Sequence, residues 1–116
     1  MNREIKKLLA ELALIAVGQH QYCEAESIAI TLEDDEDFIE LVATIRALSL
    51  MNRAQYQAAL SLLEPLAAEY HDLICFVVLC TEQLDLGIKQ DFWLNQAVKS
   101  SSTSTQTFAT HYMALE

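Results

Sequence analysis

Two Gly and one Pro in 116 residues are too few to make the many tight turns of an all-β fold. Val and Ile, the residues that favour strands, number only thirteen together, whereas Leu and Ala number eighteen and fifteen. Both of the latter are good helix formers. The composition predicts an all-α protein of one-domain size. Basic residues are scarce too, seven Lys and Arg against seventeen Asp and Glu, for a net charge of −10. Nucleic acid and anionic membrane surfaces need a basic face, so neither is an expected partner.

The stretch without a charge from Leu12 to Cys23 is broken by Gly18, Gln19, His20 and Gln21. Its apolar part falls far short of the roughly 20 residues that span a bilayer. The first residues, Met1-Asn2-Arg3-Glu4-Ile5-Lys6-Lys7, mix acid with base and lead into no small-residue cleavage site, so no signal peptide is expected and the expected location is the cytoplasm. Three cysteines, Cys23, Cys75 and Cys80, are an odd number and are expected to be reduced and buried. At 53 % hydrophobic the chain has enough apolar surface to fold despite its charge. The charge is uneven. From Leu8 to Ile45 there are nine acids and no base, five of the acids in Glu33-Asp34-Asp35-Glu36-Asp37. This segment is expected to be a solvated face, with steering of a basic partner as the sharper reading.

Self-comparison is the most informative test. Tyr22-x-x-Ala25 recurs as Tyr56-x-x-Ala59, 34 residues on, and Ala13, Leu14, Ala16 and Leu32 meet Ala47, Leu48, Leu50 and Leu66 at the same offset. A period of 34 with paired helices is the tetratricopeptide signature. Small residues fall where the helices of a pair cross closely. A further step of 34 lands on Thr81 and Gln90, which marks a degenerate third unit. The expected fold is a tetratricopeptide-like, right-handed stack of antiparallel helix pairs forming a single domain. Repeat one spans about 3–34, repeat two about 36–70, a degenerate repeat three about 72–99, and a terminal helix about 103–115.

Helix one is expected from about Arg3 to Val17, apolar at Ile5, Leu8, Leu9, Leu12, Ile15 and Ala16, with Gly18 as its stop. Helix two is expected at about Tyr22 to Leu32. Helix three runs from about Glu36 to Met51, capped by Asp34 or Asp35. Helix four runs from about Ala54 to Leu63 and breaks or kinks at Pro65. Helix five runs from about Asp72 to Leu86 and is stopped by Gly87, and helix six from about Gln90 to Lys99. The polar run Ser100 to Thr105 then supplies an N-cap for the last helix.

No catalytic motif stands out. His20, His71 and His111 belong to no recognisable nucleophile–base pattern, no Gly-rich phosphate loop exists, and the acidic run lacks calcium-loop spacing. His71 and Cys75, four apart with Cys80 beyond, could present metal ligands, but packed thiols are the favoured reading. No enzyme, cofactor or metal is expected. Binding is better supported. In a tetratricopeptide stack the first helix of each pair lines the concave side. The inward positions here are Ala10, Leu14 and Val17, then Leu41, Thr44, Leu48 and Met51, then Cys75 and Val78. Grooves of this type that grip a peptide carboxylate use Asn, Lys and Arg, whereas Leu14 and Leu48 occupy the usual Asn positions. The line suits the apolar face of an amphipathic helix. A generic tetratricopeptide adaptor or a self-associating scaffold is the alternative.

Three blocks carry a family resemblance. Leu8-Leu9-Ala10-Glu11-Leu12-Ala13-Leu14-Ile15 with Gly18-x-His20 resembles the N-terminal helix of the YscG-type chaperones of bacterial type III secretion. Ile45-Arg46-x-x-Ser49-Leu50-Met51-Asn52-Arg53-x-x-Tyr56-x-x-Ala59-Leu60 resembles the central segment of that family, and Leu79-Cys80-x-x-x-Leu84-x-Leu86-Gly87 a third block. The resemblance implies a cytosolic chaperone for the secretion needle subunit, acting with a small two-helix co-chaperone. It implies one copy of each in a heterotrimer. The subunit's amphipathic C-terminal helix would lie in the groove and the co-chaperone on the N-terminal hairpin, with no catalysis. Glu33–Asp37 and the tail after Lys99 depart from the family pattern.

Overall fold

A computed structural model describes residues 2–115, and among them the secondary structure is entirely helical. The helices are α1 (Arg3–Gly18), α2 (Tyr22–Leu32), α3 (Ile39–Asn52), α4 (Tyr56–Ala67), α5 (Ile74–Gln83), α6 (Gly87–Val98) and α7 (Thr103–Ala114). Short 3-10 turns, Glu36–Phe38 and His71–Leu73, lead into α3 and α5. The chain groups into two compact units, Met1–Gln55 and Tyr56–Glu116.

In the first unit α1, α2 and α3 pack mutually. Ala10, Ala13 and Ala16 of α1 share one buried cluster with Ala25 and Ala29 of α2, and Val17, Leu32, Phe38, Val42 and Ile45 complete it. Alanines on both helices let the backbones approach closely. The side chain of Asn2 caps α1 by accepting from the Ile5 N–H at 2.9 Å. Lys6 Nζ bonds Asp35 Oδ2 at 2.5 Å and Arg3 bonds Asp37 at 3.2 Å, so the start of α1 is tied to the loop before α3. Asp35 also accepts from the Asp37 N–H. The Lys6 hydrogen bond, followed by that N–H, holds the Asp35 carboxyl below the usual carboxylate range. Arg46 of α3 grips Glu26 of α2 through Nε and Nη2 and reaches Glu33 at 2.8 Å.

In the second unit α5 packs on α4, α6 and α7, and α6 packs on α7. Ala59, Leu60, Leu63, Ile74, Val77, Val78, Leu94, Ala97 and Ala109 are all buried. Glu64 accepts from Lys89 at 2.9 Å and from the Trp93 indole N–H at 3.2 Å. Ser102 caps α7 through its Oγ, as the polar run before that helix predicts. The Asp72 carboxylate accepts from the hydroxyls of Ser102 (2.6 Å), Thr105 (3.0 Å) and Ser104 (3.3 Å). These bonds tie the turn before α5 to the first turn of α7. Led by Ser102, they lower the Asp72 pKa.

Four expectations are corrected. Helix four does not break at Pro65: α4 continues to Ala67. Pro65 sits in the last turn, where it costs only the bond to the Ser61 carbonyl, and both residues are exposed, so water can serve that carbonyl. Gly87 opens α6 rather than stopping α5. Gly18 ends α1 without leaving the ordinary side of backbone space. The left-handed residues are His20, Ala54 and Asp85, with φ of 62°, 58° and 58°. Each closes the same turn, in which the following N–H reaches back to the carbonyl of Ala16, Leu50 or Thr81 at 2.8–2.9 Å. Finally, Cys23 is exposed rather than buried. Cys75 is half-buried, Cys80 is buried, and all three are free. Burial raises the Cys75 pKa and pushes the Cys80 thiol up to about 11.

Candidate functional site: apolar faces on α1, α3 and α5

The positions read on α3 keep part of their surface accessible. Leu41, Thr44, Leu48 and Met51 are all half-buried, at spacings of three, four and three that keep them on one side of the helix. Leu41 and Leu48, with Leu14 of α1, pack against the unit's buried cluster while keeping part of their surface accessible. The Thr44 hydroxyl donates to the Glu40 carbonyl at 2.9 Å, which leaves its methyl group as the contribution to the line. Ala10 and Val17 lie lower and are buried within α1's packing.

On α5 the register differs. Val78 is fully buried, and Cys75 is half-buried with its thiol donating to the Asp72 carbonyl at 3.4 Å. The half-buried apolar neighbours are Phe76 and Leu79. Ile39 and Ile74 open α3 and α5 and stand 35 apart, so Phe76 and Leu79 are the counterparts of Leu41 and Thr44. Sequence reasoning missed them because it carried an offset of 34 into the third repeat. By the next turn the offset is 31, Ala54 to Asp85. The four-residue change is the difference in length between α3, with 14 residues, and α5, with 10. That is about one helical turn.

α1 carries a second apolar face. Ile5, Leu8, Leu12 and Ile15 are 47 %, 64 %, 54 % and 57 % exposed. The alanines on the opposite side of the helix make the contacts with α2 and α3. Four large aliphatic side chains along three turns of one helix form the kind of contiguous patch that marks an interaction surface.

His71 is held at both ring nitrogens, with Nε2–H donating to the Ala68 carbonyl at 3.2 Å and Nδ1 meeting Ser100 Oγ at 2.7 Å. Among the described residues no group of three His, Cys, Asp or Glu side chains is placed to hold a metal ion. Nor is any described helix long and apolar enough to cross a membrane.

Known proteins with this architecture agree with the blocks quoted from the sequence. The chain is 36 % identical over 110 residues to the type 3 secretion system chaperone YscG of Yersinia enterocolitica, covering 93 % of this chain and 91 % of that protein. Its fold superposes, with a TM-score of 0.86 and 33 % identity, on a chain in the solved structure of the heterotrimeric complex which regulates type III secretion needle formation. The match covers 98 % of each chain. The YscG family model, of bacterial type III secretion system chaperone proteins, matches residues 1–114. With its all-helical, tetratricopeptide-like architecture, this chain belongs to that chaperone family.

Proposed function

We propose that this chaperone keeps the type III secretion needle subunit soluble in the bacterial cytoplasm until export. It covers the subunit's amphipathic C-terminal helix with the half-buried apolar residues of α3. A small two-helix co-chaperone acts with it on the hairpin of α1 and α2, one copy of each protein completing the assembly. The observation that carries this reading is the line Leu41, Thr44, Leu48 and Met51. It stays accessible in a chain whose fold matches a component of a needle-regulating heterotrimer. The division into repeats at about 3–34, 36–70 and 72–99, followed by a terminal helix at about 103–115, is part of the same proposal, with all of them acting as one chaperone domain. A needle subunit must polymerise outside the cell, and masking its helix by mass action suppresses polymerisation inside. Holding requires no catalysis and no nucleotide.

The test is co-expression with a type III needle subunit and a two-helix co-chaperone, followed by pull-down and helical circular dichroism. Leu48→Asp and Met51→Asp each set a charge against the bound apolar helix and should abolish most retention of the subunit. Leu48 also supports the unit's core, so Met51→Asp decides the matter if Leu48→Asp loses helix. Retention at the parent level by a folded Met51→Asp variant shows that the guest sits elsewhere.

A further inference from the structure

The exposed face of α1 has a pattern finer than apolarity. Ile5, Leu8, Leu12 and Ile15 are spaced three, four and three, the a and d positions of two successive heptads. The flanking positions on one side, the g positions of the same frame, are Glu4 and Glu11. The flanking positions on the other side are Leu9 and Ala16, which turn toward the unit's own packing. The seam is therefore apolar along about 15 Å and charged along one edge only, with one sign. The other charges of α1 do not offset this. Arg3 and Lys6 are engaged by Asp37 and Asp35, and Lys7 lies away from the seam at a c position. Beyond it no base follows until Arg46.

We infer that α1 is a two-heptad coiled-coil half-site, and that its occupant is a helix of another protein with aliphatic a and d residues and with Lys or Arg along the edge that meets Glu4 and Glu11. A second copy of this chain does not fit. Antiparallel pairing of two α1 helices sets Glu4 and Glu11 against each other. Parallel pairing sets them opposite Leu9 and Ala16, where no ion pair forms. The net charge of −10 adds a general repulsion between copies. The inference rests on α1 being a partner face, as in the proposed function, and adds the geometry and charge by which the partner is selected.

The probe is a pair of labelled three-heptad peptides with Ile and Leu at a and d, one with Lys at every e and g position and the other with Glu. Like charges keep each peptide from pairing with itself. Titrated into the full-length chain, the Lys peptide is expected to bind about tenfold more tightly, the sum of two edge pairs changed from repulsive to attractive. Glu4→Lys combined with Glu11→Lys should reverse the order. Glu82→Lys combined with Asp91→Lys, an equal change of net charge on exposed positions of the other unit, should leave it unaltered. Leu12→Gln should abolish binding of both peptides, and Ile88→Gln, on an exposed apolar residue of α6, neither. Equal affinity for the two peptides overturns the charged edge. Absence of binding, or binding indifferent to Leu12→Gln, overturns the seam. The assay contains no needle subunit, so the seam can fail while needle retention stands, and retention can fail while the seam stands.

Discussion

The Arg53 guanidinium lies over the ring of Tyr22, 4.9 Å from its centroid, joining the end of α3 to the start of α2. Arg53 also donates to the Ser49 carbonyl and hydroxyl at 3.1 Å, and its neighbour Asn52 donates to the Val17 carbonyl at 3.3 Å. Within the Ser49 to Arg53 stretch of the family resemblance, Ser49, Asn52 and Arg53 thus form a clasp inside the first unit. Arg53→Ala should lower stability by about 1–2 kcal/mol, the scale of one partly screened cation–π contact with its hydrogen bonds. Arg53→Lys should recover only part of this, because an ammonium cannot stack and donate as a planar fork does. Thermal melts of the three proteins check it.

The left-handed residue at Ala54 makes an opposite prediction. An L-residue with a Cβ is disfavoured at φ 58°, and glycine is not. Ala54→Gly should raise stability by up to about 1 kcal/mol after the entropic cost of glycine is deducted. Gly18 is the converse case. It is helical, and a Cβ added there meets nothing within 4 Å. Gly18→Ala should therefore stabilise by about 0.5–1 kcal/mol. Denaturant midpoints distinguish both from the parent.

Ala59 and Ala58 are adjacent and differ entirely in environment: Ala59 is fully buried and Ala58 is exposed. Ala59→Leu should overpack its surroundings and cost about 1–3 kcal/mol, whereas Ala58→Leu should change stability by less than about 0.5 kcal/mol. An equal fall in melting temperature for the two would contradict the register of α4.

The depressed Asp72 pKa has a defined consequence for pH. The folded pKa lies below the ordinary value of 3.8, so the carboxylate's contribution is complete above that value and is lost as pH falls through the folded pKa. Relative to Asp72→Asn, the parent should be more stable above about pH 5. The advantage should be about 1 kcal/mol, since the carboxylate is largely exposed and screened. It should shrink as the pH falls below 3.8. Melting temperatures of both proteins across pH 2–7 give the difference curve.

Most of the helical plan was legible. α2 has the bounds its Tyr22 to Leu32 pattern predicts, and α7 begins after the serine and threonine cap. The rest turned on which of two signals prevails. α1 is apolar on two faces, and the pattern Ile5, Leu8, Leu9, Leu12, Ile15 and Ala16 does not by itself say which is covered. The close crossing with α2 reserves the inner face for Ala10, Ala13 and Ala16, and size is the reason the larger residues lie outside. On α5 the deletion of a turn moves the repeat offset from 35 to 31 within one helix. Cys75 and Val78 were therefore read where Phe76 and Leu79 stand. A comparison made at the helix starts, Phe38 against Leu73, corrects the register. Pro65 was read as a break because sequence alone does not show that the carbonyl it leaves unpaired faces water.

Asn52 and Val17 are the most widely separated partners among the described side-chain hydrogen bonds, 35 residues apart. Every such bond thus closes a loop no longer than about one repeat. Loop-closure entropy stays low at each step, and contacts so local favour rapid folding. Because residues emerge from the ribosome in order, the clasp of Asn52 and Arg53 on the first hairpin can close once α3 is out, before α5 to α7 have emerged. The α1 seam is then presented on a nascent chain, early enough for a partner helix to dock during synthesis.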